Sequence, residues 1–147
     1  MEYCSNEKKE QVLDYYATRF GVGRDLFSSY TFYSGGRGRI SIGPSVTLTS
    51  DVVVVGLPIS RLGKGCKPTT SFFHQFGVFV TKNIVVLDKE QALTFLRGEN
   101  VEIDVTQATD GFVLMKYKKS CLGCGLLREK TVLNQLPKTL RRGHWLL

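Results

Sequence analysis

The sequence predicts an α+β fold, and two features support that class. Short runs of β-branched residues, which favour strands, are separated by glycines and prolines along the chain. Segments with helix caps or helical spacing are interspersed with these strands. The 147 residues are enough for one well-buried domain or for two small ones, and the apolar content of 42% argues against disorder.

The first half of the chain predicts one long helix, a short helical turn and three strands. A serine and an asparagine can cap the helix, and its apolar residues recur at helical spacing. The predicted elements are the helix Asn6–Phe20, the turn 24–29 and the strands Tyr30–Ser34, Arg37–Ile42 and Asp51–Val55. The glycine- and proline-rich residues 56–68 then predict a loop that carries Arg61, Lys64 and Lys67.

The second half predicts a small sheet with a short helix and a longer one. Two threonines at 69–70 can cap the short helix, and Asp88 with Gln91 forms a capping-box signature for the longer one. The predicted strands are Ile84–Leu87, Val101–Val105, Gly111–Met115 and Leu122–Leu127. The last two form a hairpin across the basic turn Lys118–Ser120. The expected domains are residues 1–75 and 76–147.

Charge is distributed unevenly along the chain. Residues 1–60 carry six basic and six acidic groups, and residues 61–110 again carry six of each. From residue 111 onward there are eight basic groups against one acid, Glu129, which accounts for the whole net charge of +7. These basic residues are Lys116, Lys118, Lys119, Arg128, Lys130, Lys138, Arg141 and Arg142. Such polarity predicts a surface that meets a polyanion, most often RNA or DNA.

No pattern in the sequence indicates catalysis or metal binding. Residues 35–38 are glycine-rich, but no helical pattern follows them, so they fail as a nucleotide-binding loop. Cys121 and Cys124 form a single Cys-x-x-Cys pair within a predicted strand, which favours packing thiols over a zinc or redox site. Neither a run of 18 or more apolar residues nor a secretory leader is present. We therefore expect a cytoplasmic protein with no cofactor and no metal.

Three segments of the second half resemble a known family of domains. They are FLRGE (Phe95–Glu99), GFVLMKYKKSCLGCGLL (Gly111–Leu127) and VLNQLPKTLRR (Val132–Arg142). In this order they resemble the PUA-like domain, above all the variant behind Sun/Fmu-type RNA cytosine-C5 methyltransferases and in stand-alone archaeal proteins. RFGV (Arg19–Val22) and VGLPISRLGK (Val55–Lys64) also resemble those archaeal forms. The resemblance implies an N-terminal α/β pre-PUA half followed by a small mixed β pseudo-barrel with one or two helices.

The resemblance also implies a function, which is RNA binding in tRNA or rRNA modification or in ribosome biogenesis. In this family a Leu-Gly-x-Gly turn precedes an Asn and a Pro-Lys-x-x-Arg tail, and the glycine strand lies beside the RNA groove. The matching residues are Leu122–Gly125, Asn134, Pro137, Lys138 and Arg141. The alternative for Gly123 and Gly125 is a bulge or a tight barrel corner. The cofactor-binding half and catalytic Cys of the resembled methyltransferases are not found, so no enzymatic activity is expected.

The expected ligand is structured RNA, either tRNA or rRNA, bound mainly through phosphate contacts. The expected RNA-binding residues are Arg61, Lys64, Lys67, Lys116, Lys118, Lys119, Gly123, Gly125, Arg128, Lys130, Asn134, Lys138, Arg141 and Arg142. An RNA methyltransferase or a ribosomal protein is the expected protein partner, and no membrane partner is expected. In an alternative interpretation, the chain is an accessory subunit that docks on an RNA methyltransferase or a ribosome-assembly complex and contacts little RNA itself.

Overall fold

The structure, a computed structural model, describes residues 2–45, 56–104 and 106–141. It divides the chain into two units, Met1–Phe72 and Phe73–Leu147, and the division falls inside a helix. In the described residues each unit contains a five-stranded sheet.

The N-terminal unit combines an antiparallel sheet with one long helix. Across the sheet its strands are β1 (Glu2–Tyr3), β2 (Thr31–Ser34), β3 (Arg39–Gly43), β4 (Leu57–Leu62) and β5 (Cys66–Pro68). Its helices are α1 (Asn6–Phe20) and two short 3-10 turns, Arg24–Phe27 and Gly36–Gly38. The Ser5 hydroxyl caps α1 by accepting a hydrogen bond from the Lys8 amide, and Gly21 ends the helix in the left-handed conformation. Both ends confirm the predicted helix, whereas the predicted strand Asp51–Val55 lies outside the described residues.

Aromatic rings form the core of the N-terminal unit. The ring centre of Tyr16 is 4.1 Å from that of Phe72, and the Tyr16 hydroxyl donates to the carbonyl oxygen of Ile59 on β4. Phe27 packs against the same pair of rings, with its centre 5.9 Å from Tyr16 and 6.0 Å from Phe72. Burial of each such side chain contributes about 1.5–3 kcal/mol, so these contacts fix α1 firmly to its sheet.

Residues 56–68 form the β4–β5 hairpin, so the prediction of a loop here is wrong. A turn at residues 63–65 joins the two strands. The two prolines are accommodated because Pro58 lies next to a register shift in the β3–β4 pairing, and Pro68 lies on the edge strand. The glycines and prolines therefore mark a turn, a bulge and a sheet edge, and the three cations of this segment lie on a hairpin.

The C-terminal unit is built on a mixed sheet. Its strands are β6 (Ile84–Val86), β7 (Val101–Glu102), β8 (Gly111–Tyr117), β9 (Ser120–Arg128) and β10 (Thr131–Asn134). Their order across the sheet is β6-β8-β9-β10-β7, in which β6 is parallel to β8 and the other pairs are antiparallel. The predicted hairpin of β8 and β9 is confirmed. β10 was not predicted, because a four-residue strand with one buried residue, Val132, is too short to show alternation.

The helices of the second half begin at the caps that the sequence predicts. They are α2 (Thr70–Phe76) and α3 (Lys89–Leu96), with 3-10 turns at Gly77–Phe79 and Lys138–Leu140. The Thr69 hydroxyl accepts the Phe72 amide at 3.0 Å, and Asp88 and Gln91 form the reciprocal capping box. One buried apolar cluster joins α3 to the sheet, and it contains Val85, Leu87, Ala92, Phe95, Leu96, Val101, Ile103, Val113, Met115, Leu122, Leu127, Val132 and Leu136.

Candidate nucleic-acid interface

Hairpin geometry separates cations that are close in sequence. β9 runs from Ser120 to Arg128, so at about 3.3 Å per residue its ends are roughly 26 Å apart. The turn Lys118–Lys119 lies at one end of β9, and the turn Glu129–Lys130 lies at the other. The two groups of cations therefore cannot contact the same phosphate group.

The first group, the lysine tip, consists of Lys116, Lys118 and Lys119 at the β8–β9 turn. Lys118 and Lys119 are exposed, and no acidic residue occurs in β8, the turn or β9. Lys118 has a left-handed φ of 50° and places its ammonium 5.3 Å from the centre of the Tyr117 ring. Asp88, the acid that follows β6 at this end of the sheet, is a single negative charge against the three lysines, and its carboxylate accepts the hydrogen bond that caps α3. The lysine tip is therefore a small region with a concentrated positive charge.

A cleft of about 500 Å³ adjoins the lysine tip. Its lining comprises His74, Gln75, Val78, Lys119, Ser120, Cys121 and Leu122. His74 Nε2 lies 2.9 Å from the Leu122 carbonyl oxygen, and it donates the hydrogen bond because a carbonyl can only accept. Val78 is 77% exposed and supplies an apolar wall. A cation beside an apolar wall suits the phosphate and base of a nucleotide, and the volume lies in the range of small-molecule sites.

The second group, the mixed-charge tip, consists of Asp110, Arg128, Glu129 and Lys130. The carboxylate oxygens of Asp110 accept the Glu129 amide at 3.3 and 3.4 Å. Glu129 and Lys130 both have left-handed φ angles, 48° and 69°, as the tight two-residue hairpin turn requires. Two acids offset two bases here, so this tip attracts polyanions much less than the lysine tip does.

Asn134, which the sequence predicts to contact RNA, bonds to backbone groups of its own unit. Its Nδ2 donates to the carbonyl oxygens of Phe95 at 2.7 Å and Glu99 at 2.9 Å. Its Oδ1 accepts a hydrogen bond from the backbone amide of Leu136 at 2.9 Å, and its backbone amide donates to Asn100 Oδ1 at 2.9 Å. These bonds tie β10 and the segment after it to the end of α3, so the side chain is engaged inside the unit.

Gly123 and Gly125 are buried in β9. A Cβ atom on Gly125 would lie 2.4 Å from Val132 Cγ1 and 3.0 Å from Met115 Sδ. Gly123 has a φ of 151° and pairs with Met115 beside the register shift between β8 and β9. The surroundings of these glycines fit the alternative of a bulge and tight packing, and the RNA contact stays a prediction.

Of the C-terminal cations, Arg141 lies near the end of α3. Lys138 is exposed on its 3-10 turn. Arg141 Nε donates to the Leu136 carbonyl oxygen at 3.0 Å, and a Cβ atom on Gly98 would lie 2.4 Å from Arg141 Cδ. The stem of Arg141 is therefore engaged in packing. Arg142 lies outside the described residues.

The remaining predicted cations belong to the N-terminal unit. Arg61 and Lys67 are directly opposite each other on the paired strands β4 and β5, and Lys64 lies on the turn between these strands. All three side chains are exposed. The predicted RNA-binding residues are therefore divided between the two units.

The cysteines, all four of which are described, are not in disulfides. Burial raises the pKa of the Cys66 thiol to about 11, and burial also raises the pKa of Cys4 and of Cys121. These three thiols therefore stay protonated near neutral pH, which disfavours nucleophilic chemistry. Among the described residues, no three His, Cys, Asp or Glu side chains are grouped so that they could hold a metal ion. None of the described helices combines the length and apolar character that crossing a membrane requires.

Comparisons with known proteins identify the fold of the C-terminal unit. Residues 82–142 match the family model of the methyltransferase RsmF PUA domain. Residues 82–142 are a PUA-like domain. The domain resembles the one in RsmF, as the sequence motifs implied. Residues 3–57 match the model of a family of unknown function (DUF7122).

A solved structure of a conserved PUA domain protein from Thermoplasma acidophilum is similar to this chain. The TM-score is 0.60 at 12% sequence identity, and the match covers 95% of this chain and 97% of that one. At this identity the likeness shows the fold alone. Together with the mixed sheet and few helices, it confirms the predicted PUA-like pseudo-barrel. No match was found among curated protein sequences.

Proposed function

We propose that this chain is an RNA-binding protein that acts on structured tRNA or rRNA in RNA modification or ribosome biogenesis. One observation carries the proposal, namely that the PUA-like domain and the net charge coincide. Residues 82–142 match the PUA model, and residues 111–142 hold the whole charge of +7. PUA domains bind RNA generally. A basic surface on such a domain supplies the sequence-independent part of RNA affinity.

Within the PUA-like domain, the lysine tip is the part best suited to the RNA backbone. No acid occurs in β8, in β9 or in the turn between them, and Lys119 lines the adjoining cleft. Phosphates contact the lysines, and an unstacked nucleotide enters the cleft beside Val78 and His74. The mixed-charge tip contributes less, because Asp110 and Glu129 repel phosphates there.

Salt titration of tRNA binding separates the two tips. In K118Q/K119Q the slope of log affinity against log salt is expected to fall by about 1.4 to 1.8, because two phosphate contacts are lost. In R128Q/K130Q, which removes the same number of charges, we expect less than half of that change. Fluorescence anisotropy with labelled tRNA at several salt concentrations measures both slopes. The opposite order of the two variants would contradict the role given to the lysine tip.

One experimental result would contradict the proposal as a whole. If the wild-type chain fails to bind tRNA or rRNA below about 100 μM at low salt, the chain is not an RNA-binding protein, since even non-specific binding reaches that range. Capture of an RNA methyltransferase or a ribosomal protein from nuclease-treated extract, together with such a failure, would favour the docking alternative.

A further inference from the structure

We propose that the N-terminal unit carries a second RNA-backbone surface, formed by three cations in a row across β3, β4 and β5. This cation row consists of Arg39, Arg61 and Lys67, in which Arg39 pairs with Arg61 and Arg61 pairs with Lys67. Arg61 and Lys67 are exposed, and Arg39 is half-buried. The inference rests on the proposed function, because it assigns a further contact surface for the same RNA.

Strand pairing places the three side chains on one face. Residues that are directly opposite each other on antiparallel strands point to the same side of the sheet. The adjacent set, in which Ile40 pairs with Ser60 and Ser60 pairs with Pro68, is buried. Because successive residues of a strand point to opposite faces, the cation row points away from that buried side. With strands about 4.8 Å apart, the row is about 10 Å long.

The cation row places like charges opposite one another, an arrangement that by itself destabilises a sheet. A negatively charged chain lying across the row would relieve this repulsion. The β4–β5 turn adds the exposed Lys64, and residues 56–68 contain no acid. At its other end the row meets a polar cleft of about 390 Å³, where Arg39 and Lys8 face one acid, Glu7. The surface therefore has the charge and shape to follow an RNA backbone.

The cation row does not appear in the charge profile of the sequence. Arg39 comes from residues 1–60 and the other two come from residues 61–110, and both segments have no net charge. Only the pairing of β3 with β4 and of β4 with β5 brings the three together. A phosphate backbone is the ligand class that fits, because the cations form a line and the described residues contain no group of side chains that could hold a metal ion.

Salt titration of tRNA binding by the full-length chain tests this second surface. For R61Q/K67Q we expect the slope of log affinity against log salt to fall by about 1.4 to 1.8 relative to wild type. The matched control R24Q/K82Q also removes one Arg and one Lys, and it is expected to keep the wild-type slope. Arg24 suits this control because Glu10 and Asp14 offset its charge, with Arg24 Nη1 3.1 Å from Asp14 Oδ1. Thermal unfolding checks that R61Q/K67Q is folded at the temperature of the titration.

The outcomes separate this inference from the proposed function. The second surface alone would be overturned if a folded R61Q/K67Q variant keeps the wild-type salt slope while the slope of K118Q/K119Q falls as expected. Equal losses in R61Q/K67Q and R24Q/K82Q would also overturn it, because the effect would then follow net charge. A wild-type chain that binds no RNA would overturn both proposals.

Discussion

Replacement of Asn134 by alanine is expected to lower the free energy of unfolding by about 3 kcal/mol and to leave the RNA affinity of the folded chain unchanged. The substitution removes three hydrogen bonds to backbone groups, namely those to the carbonyls of Phe95 and Glu99 and that from the amide of Leu136, while the Phe95 carbonyl keeps its bond from the Gly98 amide. Each such hydrogen bond contributes about 1 kcal/mol, and more where the remaining group is buried and unpaired. Urea denaturation measures the stability, and tRNA binding well below the transition measures the affinity.

The adjacent residue provides the control for this variant. Gln135 Nε2 is 3.5 Å from the Leu133 carbonyl oxygen, at the limit of a hydrogen bond. Gln135→Ala should therefore change stability by no more than about 0.5 kcal/mol. An Asn134→Ala variant that keeps wild-type stability but loses RNA affinity would contradict this expectation and support the RNA contact that the family resemblance implied.

Replacement of Gly125 by alanine is expected to destabilise the PUA-like domain by about 1–3 kcal/mol, and replacement by valine is expected to cost more. The added Cβ atom would lie 2.4 Å from Val132 Cγ1 and 3.0 Å from Met115 Sδ, and both neighbours belong to the apolar core. Extra carbon atoms in a packed core force side chains out of their preferred rotamers. Gly65→Ala is the control, because nothing lies within 4 Å of the Cβ position there.

A double-mutant cycle shows whether this steric account is correct. Val132→Ala removes the methyl groups that the new Cβ atom would meet, so G125A/V132A should be more stable than the sum of the single changes predicts. The coupling is expected to be at least about 0.5 kcal/mol in the favourable direction. Simple additivity, or a loss of RNA affinity in G125A without any loss of stability, would contradict the packing role.

The sequence predicted well those features whose signals are local. The cap at Ser5, the capping box of Asp88 and Gln91, and the hairpin around Lys118–Lys119 all lie within a few residues of the structure that they specify. The motifs from Phe95 onward also led to the correct fold. The β4–β5 hairpin was missed, because the glycines and prolines that suggest a loop occur equally at a turn, a bulge and a sheet edge.

The surroundings of the predicted site residues could not be read from the sequence, because they depend on distant partners. Asn134 bonds to backbone groups 35 and 39 residues earlier, and no local pattern indicates this. The cleft beside the lysine tip joins residues 74–78 to residues 119–122, so His74 and Val78 were not recognised as its lining. Charge counting grouped Lys118 with Lys130, although β9 separates them. A sequence can show how much charge a chain has, but pairing decides where that charge lies.

Crosslinking in cells, followed by sequencing of the bound RNA, tests the RNA-binding account most directly. The full-length chain and its K118Q/K119Q variant would be expressed at equal levels, irradiated and purified under denaturing conditions. The account predicts that tRNA or rRNA fragments are enriched with the wild-type chain and are recovered in clearly lower yield with the variant. Recovery of no RNA above background with the wild-type chain, or of the same RNA at the same yield with both proteins, would contradict it.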